Sequence, residues 1–361
     1  MFAVLYLFLV SIGMIGSAFK GLGRGFAESL FQSQASPFIG LFIGILATGL
    51  IQSSSTTTSL VVGMVAAGTF GNDPKLAVAA AVPYIMGANI GTSITNTIVS
   101  LGHIVSREEF KRAFSASVVH DFFNILAVIV IFPLELIFGV ISKFAYSMSE
   151  VLVGSGGGSF TSPVKMITKP TVKWIEGLVQ QQTIIDSNVL LLVAALSFLF
   201  FSLRNLTKLI KSLVMLKLQA FFDTHIFRTT IRAMFFGVII TILVQSSSIT
   251  TSLVIPLAGA GILSLRQIFP YTLGANIGTT VTSLLASMVS GTIAPLAVAL
   301  SHLTFNILGI GVLWPIKRVR ELPIYFAEWF SALATKNKLY PLLYIFIVFF
   351  VIPLSLISIV R

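Results

Sequence analysis

Residues 49–59 read Gly49-Leu50-Ile51-Gln52-Ser53-Ser54-Ser55-Thr56-Thr57-Thr58-Ser59, with eight consecutive polar residues between the apolar stretches 41–50 and 60–67. Residues 244–252 repeat the pattern as Val244-Gln245-Ser246-Ser247-Ser248-Ile249-Thr250-Thr251-Ser252, at an offset of 245 − 52 = 193 residues. Polar groups in hydrocarbon are costly unless they find partners. A polar run that occurs twice inside apolar sequence therefore indicates a binding site.

The composition is that of an integral membrane protein. Of the 361 residues, 56% are apolar and 10% are charged, and the mean hydropathy is +0.98, more apolar surface than a soluble core could hide. The net charge of +11 does not indicate nucleic acid binding, because the 23 Lys and Arg lie between apolar segments and form no single basic face. The lack of cysteine excludes disulfides and thiolate chemistry. No basic residue precedes the apolar stretch 1–19, which predicts a first transmembrane helix and not a signal peptide.

Each polar run lies in an apolar segment of awkward length. As one helix, residues 37–70 would be about 51 Å long against a hydrocarbon core of about 30 Å, while each arm beside the polar run is only about 20 Å long. The same holds for residues 231–263. The economical solution is a re-entrant hairpin, in which two half-helices enter and leave on one side of the membrane with the polar tip near its middle.

The positive-inside rule gives the two hairpins opposite orientations. With both hairpins re-entrant, seven other segments spanning and the N-terminus cytoplasmic, fifteen of the 23 Lys and Arg lie inside and 23 − 15 = 8 outside. The first hairpin then opens outside and the second inside, which predicts an all-α integral membrane protein of two inverted-topology repeats. The predicted parts are a first repeat at 1–145 (hairpin 37–70, broken helix 76–101, helix 113–142), an extracellular linker at 146–187, a second repeat at 188–316 (hairpin 231–263, broken helix 268–290, helix 293–316), and an interfacial segment with the last transmembrane helix at 317–361.

A second duplicated motif follows each hairpin. Gly87-Ala88-Asn89-Ile90-Gly91-Thr92 recurs as Gly274-Ala275-Asn276-Ile277-Gly278-Thr279, at an offset of 274 − 87 = 187 residues. Two glycines four residues apart are typical of a helix-packing face. They also suit a helix break at the midplane, where freed carbonyls and the Asn and Thr side chains can bind a cation. Recurrence directly after each polar hairpin, with Pro83 and Pro270 upstream, favours the break.

A third motif pairs His with Asn on one helix face. His120-Asp121-Phe122-Phe123-Asn124 is matched by His302-Leu303-Thr304-Phe305-Asn306 at an offset of 302 − 120 = 182 residues. The purely structural interpretation is that each pair forms a hydrogen bond between packed helices. Asp121 has no counterpart in the second copy, where Leu303 takes its place. A carboxylate in a transmembrane helix needs a partner of opposite charge. That partner is either a bound cation or one of the basic residues Arg107 and Lys111 near the inner end of the helix.

The hairpin tips suit an anion and a cation together. The second arm of each hairpin begins at the polar run, so its free N–H groups and positive dipole end favour an anion. Hydroxyls and the amides of Gln52 and Gln245 donate to an oxyanion and supply oxygens to a hard cation such as Na+. No span interior contains an obvious Arg, so co-bound cations would have to offset the charge of the anion. This predicts cation-coupled anion binding.

The motifs together resemble the type II sodium-dependent phosphate cotransporter family. The resemblance rests on QSSSTTTSLVV, GANIGTSITNTIVSL, FKRAFSASVVHDFFN, QSSSITTSLVIPL and GANIGTTVTSLLA and covers nearly all of residues 37–316. It implies Na+-driven inward transport of inorganic phosphate. Asp121 matches the residue found at this position in the electrogenic members of the family, so the resemblance also implies electrogenic transport. The implied phosphate ligands are Gln52, Ser53, Ser54, Ser55, Gln245, Ser246, Ser247 and Ser248. The expected sodium ligands are Thr56, Asn89, Thr92, Asn96, Asp121, Asn124, Thr250, Asn276, Thr279 and Asn306. The chain departs from the family pattern at His103 and Ser106, where a Gln and an acidic residue are expected.

Other functions stay open at the level of sequence. A Na+-coupled carrier of another anion, a dicarboxylate or sulfate, would use the same tips. A membrane enzyme with Ser53 or Ser246 as nucleophile and His120 or His302 as base fits the symmetric duplication poorly, and a channel is a further alternative. We expect a multi-pass protein of the plasma (inner) membrane, with phosphate, Na+ and the lipid bilayer as partners, no nucleic acid and no cofactor besides cotransported Na+. A homodimer is left open.

Overall fold

The structure is a computed structural model, and it describes residues 2–21, 36–153, 163–181, 186–198, 201–202, 205, 226–227 and 229–360. These residues form helices and connecting turns and contain no β-strand. The helices are α1 (Phe2–Gly21), α2 (Pro37–Ile51), α3 (Ser54–Ala66), α4 (Pro74–Ile90), α5 (Ile94–Ser100), α6 (Arg107–Phe138), α7 (Val140–Val153), α8 (Pro163–Gln180), α9 (Ser187–Phe198), α10 (Thr230–Val244), α11 (Ser247–Ser252), α12 (Ile255–Gly259), α13 (Leu265–Ser290), α14 (Ile293–Leu313), α15 (Lys317–Ala334), α16 (Leu339–Phe346) and α17 (Ile352–Val360).

Four helical stretches of the described chain are long and apolar enough to cross a membrane. They are Pro74–Thr97, Arg107–Phe138, Ile293–Leu313 and Leu339–Ile359. The predicted class, an all-α integral membrane protein, is therefore confirmed. The arms Pro37–Ile51 and Thr230–Val244 are apolar but shorter, as expected for half-length helices. Spanning by residues 1–19, 188–203 and 268–290 stays a prediction.

Both polar runs interrupt a helix at the same residue type. α2 ends at Gln52 (φ 57°, ψ 27°) and α10 ends at Gln245 (φ 56°, ψ 26°), the two non-glycine residues with positive φ in the described chain. A left-handed residue terminates a helix and redirects the chain. The serine that follows each glutamine starts the second arm. In the second hairpin this arm is itself interrupted, because α11 and α12 are separated at residues 253–254, just before Pro256.

The helix after each hairpin packs closely on the first arm of that hairpin. A Cβ on Gly87 would collide with the Leu41 carbonyl oxygen, and one on Gly274 would collide with the equivalent Met234 oxygen. Gly91 and Gly278, one turn further on, likewise face Thr48 and Thr241. The glycines of both motifs therefore allow close helix packing. This is the interpretation that the recurrence of the motif had made less favoured.

The helix after each hairpin is irregular in the first copy and regular in the second. α4 ends at Ile90, and a 3₁₀ turn at Gly91–Ser93 separates it from α5. α13, by contrast, is one continuous α-helix from Leu265 to Ser290, so the broken helix predicted at 268–290 is a correction. Pro270 lies in the second turn of α13, whereas Pro83 is nine residues into α4, where a missing N–H interrupts established helix.

The segment predicted as a linker at 146–187 is largely helical. α7 begins right after Gly139, which ends α6 in a left-handed conformation, and α7 runs across the predicted boundary at residue 145. α8 occupies 163–180 and packs on α1. The helix predicted at 113–142 accordingly begins earlier, at Arg107, and ends earlier, at Phe138. The Gly-rich residues 154–159 lie outside the described residues.

The two halves interlock through contacts between helices of different halves. α3 of the first half packs on α13 and α14 of the second, and α11 of the second half packs on α5 of the first. α15, in the segment predicted to be interfacial, lies against α6. α17 packs on α2, so the last helix covers the first hairpin. This arrangement brings the two polar tips toward the same part of the molecule.

Candidate functional site

Each hairpin tip is shaped by a serine cap. The Ser53 hydroxyl accepts from the backbone N–H of Thr56 at 3.2 Å, and the Ser246 hydroxyl accepts from the N–H of Ile249 at 3.4 Å. An N-cap serine satisfies one N–H of the first turn and leaves others free. Each second arm therefore starts with free N–H groups at the tip, an arrangement that favours an anion.

The two tip glutamines are held in the same way. The Gln52 amide donates to the carbonyl of Gly49, three residues earlier, as Gln245 does to Ile242 at 2.7 Å. The oxygen of Gln52 accepts from the Thr95 hydroxyl at 3.0 Å. The oxygen of Gln245 accepts from Thr282 at 2.6 Å. Thr95 and Thr282 were missed in the sequence, although they share the offset 282 − 95 = 187 of the glycine motif and would have been found from it.

The predicted phosphate ligands become less exposed to solvent from the glutamine at each tip toward the serines inside the second arm. Gln52 is exposed and Ser53, Gln245 and Ser246 are half-buried. The inner serines are buried, with exposed fractions of 3–6%, and they are Ser54, Ser55, Ser247 and Ser248. Each tip thus has an accessible rim and a buried floor of hydroxyls.

Both tips contact one short segment, residues 92–96. Thr95 reaches Gln52 of the first tip, while the Ser248 hydroxyl of the second tip donates to the Thr92 carbonyl at 3.2 Å. Asn96 donates to Thr251 at 2.7 Å and accepts from the Ser252 hydroxyl at 2.8 Å. Since Thr92 and Thr95 are less than one helical turn apart, the two tips lie close together.

The predicted sodium ligands at the tips bond mainly within their own helices. Thr56 donates to the Ser53 hydroxyl at 2.9 Å, and Thr250 donates to the Ser246 carbonyl at 3.0 Å. Thr92 and Thr279 donate to the carbonyls four residues earlier, each at 3.0 Å. Each hydroxyl oxygen keeps lone pairs that a cation could use.

The four asparagines of the repeated motifs form one buried network with the two histidines. Asn276 donates to Asn124 at 2.9 Å and its oxygen faces His120 Nε2 at 2.5 Å. In the equivalent set of contacts Asn89 donates to Asn306 at 3.3 Å, and the Asn89 oxygen faces His302 Nε2 at 3.2 Å. Asn124 and Asn306 complete the pattern by donating to the carbonyls of Asn89 and Asn276, at 2.9 Å each. Every amide oxygen of the network already has a partner, which supports the packing interpretation of the His–Asn pairs.

Asp121 lies apart from that network. Its side chain is fully buried, and Oδ2 accepts from the Tyr344 hydroxyl on α16 at 2.9 Å. The other oxygen, Oδ1, has no hydrogen-bond partner among the residues that the structure describes. Neither Arg107 nor Lys111 forms an ion pair with Asp121, so the alternative partners weighed for this carboxylate do not account for it. A carboxylate oxygen with no partner suits a cation.

The exit end of the second hairpin is held by Arg112, which the sequence did not single out, and by His103. Arg112 donates twice to the Gly259 carbonyl, at 2.9 and 2.8 Å. The ring of His103 lies against Gly259 and faces Glu109 at 3.4 Å. The position where the chain departs from the family pattern therefore belongs to this contact between α6 and α12.

Comparison with known proteins assigns the family. The sequence profile described as Na+/Pi-cotransporter matches residues 7–156 and 198–337. The chain belongs to this family. The resemblance read from the motifs is therefore confirmed, and a transporter family agrees with the expectation that the protein is not an enzyme.

The relatives have longer chains. Sodium-dependent phosphate transport protein 2A of Ovis aries is 33% identical over 98% of this chain and 66% of its own length. The 2B protein of Homo sapiens is 32% identical over 97% of this chain and 63% of its own length. The 2A protein of Rattus norvegicus is 33% identical over 98% of this chain and 66% of its own length. This chain thus spans slightly less than two thirds of these relatives. No solved structure matches it significantly.

Proposed function

We propose that the protein is a secondary active transporter that carries inorganic phosphate inward with Na+, and that phosphate binds between the two Gln-Ser-Ser-Ser tips. The observation that carries the proposal is the convergence of both tips on residues 92–96, through Thr95 to Gln52 and through Thr92 to Ser248. Family membership and the names of the relatives support Na+ and phosphate as the transported ions.

Phosphate recognition would use backbone N–H groups and hydroxyls. The first turns of the second arms, which begin at Ser54 and Ser247, supply N–H groups and the positive ends of two helix dipoles. Hydroxyls of the buried serines and the amides of Gln52 and Gln245 can donate to phosphate oxygens. With no guanidinium among the tip residues, Na+ would supply the remaining positive charge.

For Na+ we propose two kinds of site. Hydroxyl oxygens near the tips are offered by Thr56, Thr92, Thr250 and Thr279. Asp121 offers a carboxylate oxygen that has no partner in the described part of the chain. Ligation by Asn96, or by the network residues Asn89, Asn124, Asn276 and Asn306, would require their hydrogen bonds to be shared or exchanged. Na+ accepts such hard oxygen ligands.

Transport would proceed by alternating access in the plasma (inner) membrane, with the N-terminus in the cytoplasm and the two repeats in inverted topology. Opposed hairpins would open the shared site to one side at a time. The interlocking of α3 with α13 and of α11 with α5 supports a motion in which tips and partner helices move as one unit.

Uptake of radiolabelled phosphate into proteoliposomes tests the proposal. We expect an inward Na+ gradient to drive uptake and an equal K+ gradient not to, with loss of uptake in the double variant Ser54→Ala/Ser247→Ala. The control is Ser149→Ala/Ser287→Ala, which removes two buried hydroxyls that bond only to their own helices. Wild type that moves no phosphate but moves sulfate or a dicarboxylate under Na+ would replace phosphate by that anion as the substrate.

A further inference from the structure

A cavity of about 360 Å³ lies between α1, α3, α8 and the end of α13. Its walls include Gly13 and Ser17 from α1, Val62 and Ala66 from α3, and Ser290 from α13. The cavity is thus formed where the first hairpin of one half meets the helix after the hairpin of the other half. None of the predicted phosphate or sodium ligands lines it.

The cavity lies on the side from which substrate would enter. In the proposed topology α1 and α13 end outside and the first hairpin opens outside, and the lining residues come from the second half of each of these helices. Val62 is eight residues beyond Ser54, so the cavity begins about 12 Å from the first tip along α3. It would therefore form the outer approach to the site.

The chemistry of the lining fits an oxyanion. Lys169 and Lys173 stand one turn apart on α8 and both line the cavity, together with the hydroxyl-bearing Thr168 and Thr292. Among the lining residues that the structure describes, Glu176 is the only acidic one. Because a water occupies about 30 Å³ of liquid, the volume equals roughly a dozen waters and admits an anion with part of its hydration shell. Lysine is a point charge that recognises phosphate without fixed geometry.

α8 is fixed in place by its packing on α1. The Tyr6 hydroxyl donates to the Ile167 carbonyl at 3.2 Å and lies 2.6 Å from the Thr171 hydroxyl. Val172 is 6% exposed and packs so closely on Gly13 that a Cβ there would lie 2.9 Å from its methyl group. The two lysines are therefore positioned by a docked helix.

We propose that this cavity is an outer anion site, in which Lys169 and Lys173 collect phosphate before it passes to the hairpin tips. The inference rests on the proposed function, since it concerns the path to the same site. A cavity with a positive rim and low-dielectric walls concentrates anions and raises their on-rate by about 10-fold or more. Phosphate in this cavity remains hydrated and exchanges with bulk solution.

The matched control is a second cavity with two lysines, Lys75 and Lys143, between α4 and α7. Here Lys75 lies over the Tyr146 ring at 5.3 Å, and Glu135 and Glu150 also line the cavity. The balance of two basic and two acidic side chains gives no net attraction for an anion. Removing its lysines changes the total charge of the protein by the same amount without touching the proposed site.

Uptake kinetics form the first test. In full-length protein in proteoliposomes, Lys169→Gln/Lys173→Gln should raise the phosphate KM about threefold or more at low ionic strength, with maximal rate retained. The difference should shrink in high choline chloride, because salt at about 1 M screens charges beyond about 3 Å. Lys75→Gln/Lys143→Gln should leave KM unchanged. An equal KM in wild type and the Lys169/Lys173 variant, with normal phosphate uptake, overturns the outer site and leaves the proposed function standing.

A second test does not depend on transport. The natural sequence has no cysteine, so Thr292→Cys places a single thiol in the cavity and Ser147→Cys places one in the control cavity. Without Na+, inorganic phosphate should slow modification of the Thr292→Cys thiol by a negatively charged methanethiosulfonate reagent and leave the control unaffected. No protection by phosphate at concentrations well above the transport KM, or equal protection of both thiols, contradicts the proposal. If wild type transports no phosphate yet protection is seen, the proposed function fails while the anion site stands.

Discussion

Asn89 and Asn306 lie 217 residues apart and share a buried hydrogen bond of 3.3 Å, and the same bond joins their counterparts Asn276 and Asn124 at 2.9 Å. Each bond connects the helix after a hairpin to the His–Asn helix of the other half. The symmetry of the repeats is therefore expressed in contacts between them. A network that crosses between halves in two equivalent places can hold both pairs of helices together while the rest of each half moves.

The network should be energetically coupled. Asn276→Ala leaves the partners of its amide, His120 and Asn124, without their bonds in a fully buried position, which should destabilise the protein by about 1–3 kcal/mol. In a double-mutant cycle, Asn124→Ala added to Asn276→Ala should cost less than the sum of the two single changes. Thermal unfolding in detergent measures this, and strictly additive losses would contradict a shared network.

Thr95 and Thr282 are expected to position the tip glutamines. Thr95→Ala removes the hydroxyl that donates to Gln52 and should weaken phosphate binding by about 1 kcal/mol, or roughly fivefold in KM. Thr95→Ser keeps the hydroxyl and should restore the wild-type KM. Uptake kinetics distinguish the outcomes, and equal KM values for the Ala and Ser variants would show that this hydrogen bond does not orient the glutamine.

The glycines of the repeated motif should be intolerant of a single methyl group. Gly87→Ala drives a Cβ into the Leu41 carbonyl oxygen and should cost about 1–3 kcal/mol, as should Gly274→Ala against Met234. Gly311 lies in the exposed part of α14, and no described residue beyond its own helix turn comes within 4 Å of a Cβ placed there, so Gly311→Ala should stabilise the protein by about 0.5–1 kcal/mol. Melting temperatures test the contrast, and similar shifts for Gly87 and Gly311 would contradict the close packing.

Two buried hydroxyls stand at equivalent places one turn before the tips. Thr48 and Thr241 are fully buried and their hydroxyls have no hydrogen-bond partner in the described structure. Replacing each by Val removes an unpaired polar group at nearly constant volume, so each variant should be about 1 kcal/mol more stable in Na+-free buffer. Thr272→Val is the control, because its hydroxyl donates to the Phe269 carbonyl at 2.7 Å. Stabilisation of the control by the same amount would show that pairing of the hydroxyl is irrelevant.

The sequence predicted the hairpin breaks because polar runs between short apolar arms leave few alternatives. Gln52 and Gln245 are found at those breaks. It could not predict that α13 is continuous, since the same glycine spacing serves a break and a packing face. The first copy differs through contacts that are distant in sequence: Ser248 occupies the Thr92 carbonyl and Asn96 reaches Thr251, whereas Ser283, at the place of Asn96, donates to Thr280 in its own helix.

The remaining errors also concern tertiary contacts. The linker at 146–187 was predicted from the Gly-rich residues 154–159 and Pro163, but residues 163–180 form a helix that packs on α1 through Tyr6 and Val172. Short helices depend on such packing more than on propensity. The partner of Asp121 could not be predicted either, because Tyr344 lies 223 residues away in sequence.

Asp121 gives the prediction that links the structure to the membrane potential. Its side chain is buried and its Oδ1 has no partner within the described chain, so the carboxylate needs a cation when it is charged. Each net charge moved inward gains about 2.3 kcal/mol per 100 mV. Asp121→Gly should therefore abolish phosphate-induced current across a proteoliposome membrane while leaving some Na+-dependent uptake. Tyr344→Phe removes the hydrogen bond to Oδ2 but keeps the carboxylate, so the current should persist. Currents and uptake recorded on the same vesicles separate the two effects, and an Asp121→Gly variant with undiminished current would remove this residue from the coupling of Na+ to charge movement.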